Sequence, residues 1–312
     1  PIVNQNLEGD VMKSIYPDGS YFFNSQVFYQ SNFKINELTK IFRQSDKSFI
    51  DLLNKFRIAK VNDQDLAQIN QRYQGPGFKV PKGVILLSTT NAKVDKINNS
   101  KLAELDSKHF EYEGSIKGDF KEKDCPSPET LKLKVGAQVM LTQNDVGNEP
   151  RRWSNGTLAI IHELKPNSIS IKIKDEVFVL GKSRWDKIQF TVASDEIKRK
   201  VVATFSQYPL KLAWASTIHK SQGQTFEKVA IDLDRGSFAH GQTYVALSRA
   251  KSMEGIYLVR KIAYKDLIFD EKVFDFLGQD LEAKNVKQVT KKNEASEYAS
   301  NLPYDEDYNQ DS

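Results

Sequence analysis

An α/β protein with a mainly parallel sheet, interrupted by a small all-β barrel, is the fold class that this 312-residue sequence predicts. Three observations carry the expectation. Short apolar runs alternate with helix-spaced segments on both sides of the chain's middle, as βα units do. The middle itself replaces helical spacing with short β-rich runs separated by turn residues. Hydrophobic residues make up 39% of the chain, enough for a sizeable core, and no apolar run reaches the length that spans a bilayer.

The elements follow in order. Ser45-Asp46 ahead of Phe49, Leu52, Leu53 and Phe56 puts a capping residue before an i, i+3, i+4, i+7 stripe, so a helix is expected there. Val84–Leu87 is a short apolar run of the kind a buried parallel strand needs. A second helix starts at Asn91 and carries Ile97, Leu102 and Leu105 on one face. Within the middle, Val139–Leu141, Ile160–Leu164, Ile169–Ile173, Val177–Leu180 and Val201–Phe205 read as strands. Asn155-Gly156 predicts a type I′ hairpin turn, because both residues tolerate positive φ. Beyond it, Lys228–Leu233 and Ile256–Val259 read as strands, with a helix over Ala239–Ala250 between them. In that helix Tyr244, Leu247 and Ala250 share a buried face, while Gln242 and Arg249 project elsewhere. Residues 284–312 turn polar and are expected to be a disordered acidic tail.

Charge and cysteine usage narrow the function classes. Net charge is +4, but the segment from Glu294 onward carries −6 and leaves +10 on residues 1–293, a balance that suits a polyanionic partner. The single cysteine, Cys125, excludes a disulfide framework within the chain and fits a reducing, cytoplasmic setting rather than secretion. Four scattered histidines offer no ligand pair at zinc spacing. The N-terminus has neither the basic start nor the apolar stretch of a signal peptide, and the lack of an initiator Met suggests a chain that starts partway through a longer protein.

Two segments carry chemistry. Thr217-Ile218-His219-Lys220-Ser221-Gln222-Gly223-Gln224-Thr225 is dense in groups that hydrogen-bond phosphate oxygens, Lys220 adds charge, and Gly223 lets backbone approach a ligand. Gly241–Lys251 places Arg249 on a packed helix, where a guanidinium can present a fixed fork to a phosphate. Taken singly, each also reads as an ordinary polar loop and a solvated helix arginine.

Together the two strings resemble helicase motifs V and VI, Thr-Ile-His-Lys-Ser-Gln-Gly-Gln-Thr and Tyr-Val-Ala-Leu-Ser-Arg-Ala-Lys, in the order found in the PIF and RecD branch of superfamily-one helicases. Leu38–Asp46 resembles motif IV, Leu86–Asn91 with Asn98 resembles the strand and helix start that touch single-stranded DNA, and Gly136–Leu141 with Asn155-Gly156-Thr157 resembles the start of the inserted β-barrel. The resemblance covers residues 20–262 and implies a RecA-like, P-loop NTPase-type domain. Residues 1–32 would be a remnant of a first RecA-like domain and linker, with Pro1-Ile2-Val3 as the tail of motif III and Tyr21-Phe22-Phe23 linking the halves. Residues 33–145 plus 205–270 would be the second RecA-like domain, 146–204 the inserted barrel.

What the resemblance implies is the C-terminal motor half of an ATP-dependent, 5′-to-3′ DNA helicase. Arg43 and Arg249 would act as arginine fingers, and Gly223 and Gln224 would contact the nucleotide. Asn91, Thr217, His219, Lys220 and Ser221 would hold single-stranded DNA. The sequence contains no Gly-x-x-x-x-Gly-Lys-Ser/Thr loop, so ATP and Mg²⁺ would be bound mainly by an N-terminal RecA-like domain, and this chain alone is expected to be inactive. The alternative is a non-catalytic single-stranded-DNA-binding or partner subunit of a helicase–nuclease complex. Arg151-Arg152-Trp153 is open between base stacking and a barrel-core tryptophan with solvated arginines. Trp214 and Phe42 are expected in the core.

Overall fold

The computed structural model describes residues 21–277, apart from 32, 35, 37–40, 122–123, 147–149 and 194–195. The expectations for residues 1–3, for Leu38-Thr39-Lys40 and for the acidic tail lie outside the described residues. The chain divides into two compact units, one of residues 1–42 and 270–282, the other containing 43–269.

In the described part of the first unit, a 3₁₀ turn (Phe22–Asn24) leads into α1 (Gln26–Gln30). Ser25 caps that helix by accepting from the Phe28 N–H at 3.2 Å. Phe22, Phe23 and Phe28 pack around Phe276, whose ring stacks on Phe23 with centroids 4.4 Å apart. The Tyr21 hydroxyl donates to Asp270. Phe42, expected in the core, is 83% exposed. It belongs to no helix or strand that would turn it inward.

The second unit begins with α2 (Lys47–Arg57) and α3 (Asp63–Asn70). Asp46 caps α2 by accepting from Ser48 and Phe49 N–H, and Phe49, Leu52, Leu53 and Phe56 are buried as the spacing predicts. Strand β1 (Ile85–Ser88) then feeds α4 (Asn91–Ala103). The buried stripe of α4 is Val94, Asn98 and Leu102, with Ile97 only half-buried and Leu105 past the helix end. The difference from the expected stripe is a polar residue on the core side, which an apolar-spacing argument passes over.

An all-β portion follows: β2 (His109–Glu113), β3 (Ser115–Gly118), β4 (Thr130–Lys134), β5 (Gln138–Leu141), β6 (Leu158–Lys165), β7 (Ser168–Ile173), β8 (Glu176–Leu180), β9 (Ser183–Ala193), β10 (Glu196–Gln207) and β11 (Leu210–Leu212). It is wider than residues 146–204. The antiparallel sheet β11-β5-β6-β7-β8 draws strands from outside that span, and the β2–β4 pair packs on it around one core with Trp153 and Tyr208. Its ladder does not close into a hydrogen-bonded barrel among the described residues, since β11 and β8 stay at its edges. β9 and β10 form a long hairpin flanked by β3.

Asn155-Gly156 turns the chain differently from the expectation. The Thr157 N–H reaches the Ser154 carbonyl at 3.0 Å, and only Gly156 has positive φ, at 91°. Positive φ at the third position alone is the type II pattern, and the turn sits in a connection from Thr142 to Thr157 rather than in a two-residue hairpin loop.

The chain then returns to the first sheet through β12 (Ala215–Thr217), β13 (Val229–Asp232), α5 (Gln242–Leu247) and β14 (Ile256–Leu258). The sheet is parallel throughout, in the order β12-β1-β13-β14. β1, β12 and β13 are buried along their whole length, as strands covered on both faces must be. A last helix, α6 (Glu271–Leu277), belongs to the first unit.

Candidate nucleotide and nucleic-acid site

β12 is an edge strand, so the Ala215 N–H and C=O face away from β1 and need partners. Asn98 on α4 supplies both. Its Oδ1 accepts from the Ala215 N–H at 2.9 Å and its Nδ2 donates to the Ala215 carbonyl at 3.0 Å. The side chain takes the place of a neighbouring strand and closes the sheet edge.

The chain after β12 forms a 3₁₀ turn, His219–Ser221. Ile218 is fully buried beneath it. The Thr217 Oγ1 accepts from the Lys220 N–H at 3.2 Å, and the Ser221 hydroxyl donates to the Ile218 carbonyl at 2.7 Å. The turn therefore throws His219 and Lys220 into solvent. Gly223 follows with φ at 87°, a conformation that favours glycine.

A cleft of about 980 Å³ lies between α4, β11, the β-rich portion and this turn. Thr217, Lys220, Gly223 and Gln224 line it, together with Lys211 and Asn155. The Gln224 side chain rests against Gly156, where an added Cβ would fall 2.9 Å from Gln224 Cγ.

On the other side of the same loop stand two arginines. Arg249 is 5% exposed. Its guanidinium donates to the carbonyls of Val245 (2.9 Å), Gln224 (3.0 Å) and Ser221 (3.4 Å), and to the Ser248 hydroxyl at 2.7 Å. Arg43 donates to the Thr225 hydroxyl at 2.8 Å and the Ser248 carbonyl at 3.2 Å. Neither arginine pairs with a carboxylate among the described residues. Burial and the adjacent Arg43 charge push the Arg249 pKa down to about 10. Two neighbouring cations held by neutral oxygens alone are a pre-built receptor for an anion.

The structure sorts the residues singled out from sequence. Arg43 and Arg249 come together, and Thr217, Lys220, Gly223 and Gln224 share the cleft. Ser221 does not fit a role in gripping DNA through its side chain, which is fully buried and occupied by Ile218. Asn91, exposed in the first turn of α4, and His219, whose ring sits 6.1 Å from that of Phe238, do not line the cleft. Arg249 and Gln242 are both buried: the expected helix shortens to six residues, Arg249 lies in the turn that follows it, and Gln242, its first residue, accepts from the Phe238 N–H at 3.1 Å. Arg152 pairs bidentately with the buried Asp145, at 2.7 and 2.9 Å, and lies over Trp153, a member of the β-core. The core reading of Trp153 therefore describes the structure, with Arg152 paired rather than solvated. Trp214 packs, partly buried, against the same core. Among the described residues, no group of three or more His, Cys, Asp or Glu is placed to hold a metal ion. Lys211, Thr225 and Ser248 were missed as site residues. Thr225 and Ser248 lie inside the two recognised strings, but only the fold reveals that they hold Arg43 and Arg249.

Comparison with known proteins bears on this geometry. No family model matches the chain. It is 32% identical over 265 residues to the ATP-dependent DNA helicase Pif1 of Bdellovibrio bacteriovorus, covering 82% of this chain and 57% of that protein. Over 82% of its length the chain is homologous to Pif1 helicases. The human ATP-dependent DNA helicase PIF1 is 33% identical over 231 residues, 70% of this chain and 34% of the relative. Among solved structures, unliganded Pif1 from Bacteroides sp. superposes with a TM-score of 0.76 at 35% identity, covering 91% of this chain and 65% of that one. Bacteroides Pif1 bound to single-stranded DNA gives 0.62 at 36% identity, with 88% and 63% covered. The parallel-sheet unit thus has the RecA-like fold of Pif1 helicases, and the chain spans 57% or less of the length of these curated relatives.

Proposed function

We propose that these residues form the second motor domain, with its β-rich insertion, of an ATP-dependent DNA helicase. The observation that carries the reading is the Arg43–Arg249 pair, two adjacent guanidiniums without a carboxylate, on the loop whose other side lines a lysine-bearing cleft. The relatives' names supply the chemistry: the curated ones are ATP-dependent DNA helicases, and Bacteroides Pif1 has been solved both with single-stranded DNA and with ADP-AlF₄.

In this reading Arg43 and Arg249 are the arginine fingers. They lie ready to offset the negative charge that spreads over phosphoryl oxygens during ATP cleavage, a contribution of about 10³–10⁵ in rate. Their carbonyl and hydroxyl partners hold both forks in place before nucleotide arrives. The loop carrying Gly223 and Gln224 lies beside them, and Thr217 and Lys220 grip the phosphates of the strand in the cleft. ATP with Mg²⁺ is held mainly by a P-loop of an N-terminal RecA-like domain, since the sequence has no such loop. Opening and closing around nucleotide moves the strand grip, which is translocation.

Two measurements test this. In the P-loop-containing helicase that carries these residues, Arg249→Ala and Arg43→Ala should each lower DNA-stimulated ATP turnover by about 10³, with strand affinity changed little. Turnover within tenfold of the unsubstituted enzyme would sink the finger assignment. The 312-residue chain alone should bind single-stranded DNA in a salt-dependent way without turning over ATP. Turnover by this chain that disappears with Arg249→Ala would refute its dependence on a P-loop domain.

A further inference from the structure

Half-buried lysines in this fold are generally matched. Lys93 bridges Asp232 and Asp234 at 2.8 and 3.0 Å. Lys134 donates to the Leu105 carbonyl at 2.6 Å. Lys211 is the exception. It is half-buried in β11, between Leu210 and Leu212, and its ammonium has no hydrogen bond or ion pair among the described residues. β-strand alternation separates it from Leu210, which is fully buried in the β-core, and Lys211 instead lines the cleft.

Its surroundings make the mismatch sharper. The charged group that acts on it is another cation, Lys220, which lines the same cleft. Burial first, and the Lys220 charge second, push its pKa down. The acid in the cleft lining, Asp95 of α4, is exposed and pairs with neither lysine. A desolvated ammonium beside a like charge costs free energy unless something negative joins the pair. Lys220 arrives from the turn after β12 and Lys211 from β11, in a different sheet, so the two charges come from independently held elements.

We propose that Lys211 is a phosphate-binding residue that forms, with Lys220, a two-lysine clamp on one phosphodiester of the strand in the cleft. The inference rests on the reading of the cleft as the single-strand site and adds a residue outside the recognised motif strings. Each lysine alone is a point charge; together they flank the phosphate, and its charge relieves their mutual repulsion. Binding here is therefore coupled to the removal of a pre-existing strain in the free protein, which a solvated lysine would not provide.

The test uses the 312-residue chain and a labelled oligodeoxynucleotide titrated at several salt concentrations. Lys211→Met should weaken binding by about tenfold at 0.1 M salt and make the log–log salt slope shallower by about 0.7, the value for one phosphate contact on a single strand. Lys211→Arg should keep the slope. A second measurement needs no variant: amine acetylation read by mass spectrometry, with Lys211 labelled in the free chain and protected when the oligonucleotide is bound. An unchanged slope in folded Lys211→Met overturns the assignment. Should that variant fail to fold, labelling of Lys211 that DNA leaves unaltered overturns it instead. If the unsubstituted chain binds no single strand at all, the reading of the cleft falls; if it binds and only the Lys211 results fail, that reading stands and the clamp does not.

Discussion

Replacing Asn98 by Leu removes a side chain of similar size but leaves the edge of β12 open. Two main-chain groups of Ala215, an N–H and a C=O, lose partners at 2.9 and 3.0 Å. An orphaned buried group costs about 1–3 kcal/mol, so two give about 2–6 kcal/mol. Asn98 is 8% exposed, but both it and Ala215 line the cleft, so water can reach part of the site. That places the expected loss in the lower half, at about 2–3 kcal/mol. The assay is urea unfolding followed by tryptophan fluorescence, since Trp153, Trp185 and Trp214 all lie in the same compact unit as Asn98. With m of about 2–3 kcal/mol/M, the midpoint should fall by about 1 M at unchanged m. A fall of less than about 0.3 M would show that Asn98 does not stand in for a strand. Asn98→Asp, which sets a carboxylate oxygen against the Ala215 carbonyl, should cost at least as much at neutral pH as Asn98→Leu.

Gly156→Ala should destabilise the protein by about 1–2 kcal/mol, since φ is 91° and the new Cβ would press on Gln224 Cγ. Combining it with Gln224→Ala should recover part of that loss in a thermal-denaturation double-mutant cycle, and strict additivity would count against the contact. Arg152→Ala should cost about 1–2 kcal/mol in the same assay: it strands the Asp145 carboxylate, whose side chain is 2% exposed, but Arg152 itself is 37% exposed and already screened. A loss no larger than that of an exposed control such as Lys198→Ala would refute the structural role given to this pair.

The parts of the fold that could be read directly were those with local causes. Asp46 and the Phe49–Phe56 stripe contain their own cap and their own period. The short runs that became β1, β13 and β14 are apolar because both faces of a parallel strand are covered. What escaped was set by distant partners. Of the hairpin β9–β10 only Val201–Phe205 was marked by an apolar run; the rest mixes apolar and charged residues on exposed faces, with Phe190 66% and Ile197 75% exposed. Asn98 and Ser221 are polar residues whose burial depends on Ala215 and Ile218 main-chain groups. The motif strings pointed to the loop that lines the cleft and holds the two arginines, but they could not separate residues that face the cleft from those that shape the turn. Arg249 stood out in the sequence as a charge; that it lies buried among carbonyls beside Arg43 did not, because its partners come from separate segments.

The loop from Ser221 to Thr225 has two audiences. Gln222, Gly223 and Gln224 face the cleft, while the carbonyls of Ser221 and Gln224 and the hydroxyl of Thr225 restrain the two arginines. In the proposed reading, an anion that draws Arg249 off those carbonyls would free the peptide whose side chain borders a bound strand. A strand that reshaped the loop would in turn alter the carbonyls from which Arg249 must be drawn. Thermodynamic reciprocity then fixes the relation between the two events: whatever factor the strand applies to anion affinity, the anion applies to strand affinity. Five residues are short enough to act as a single lever, so the two sites need no longer pathway through the protein to sense one another.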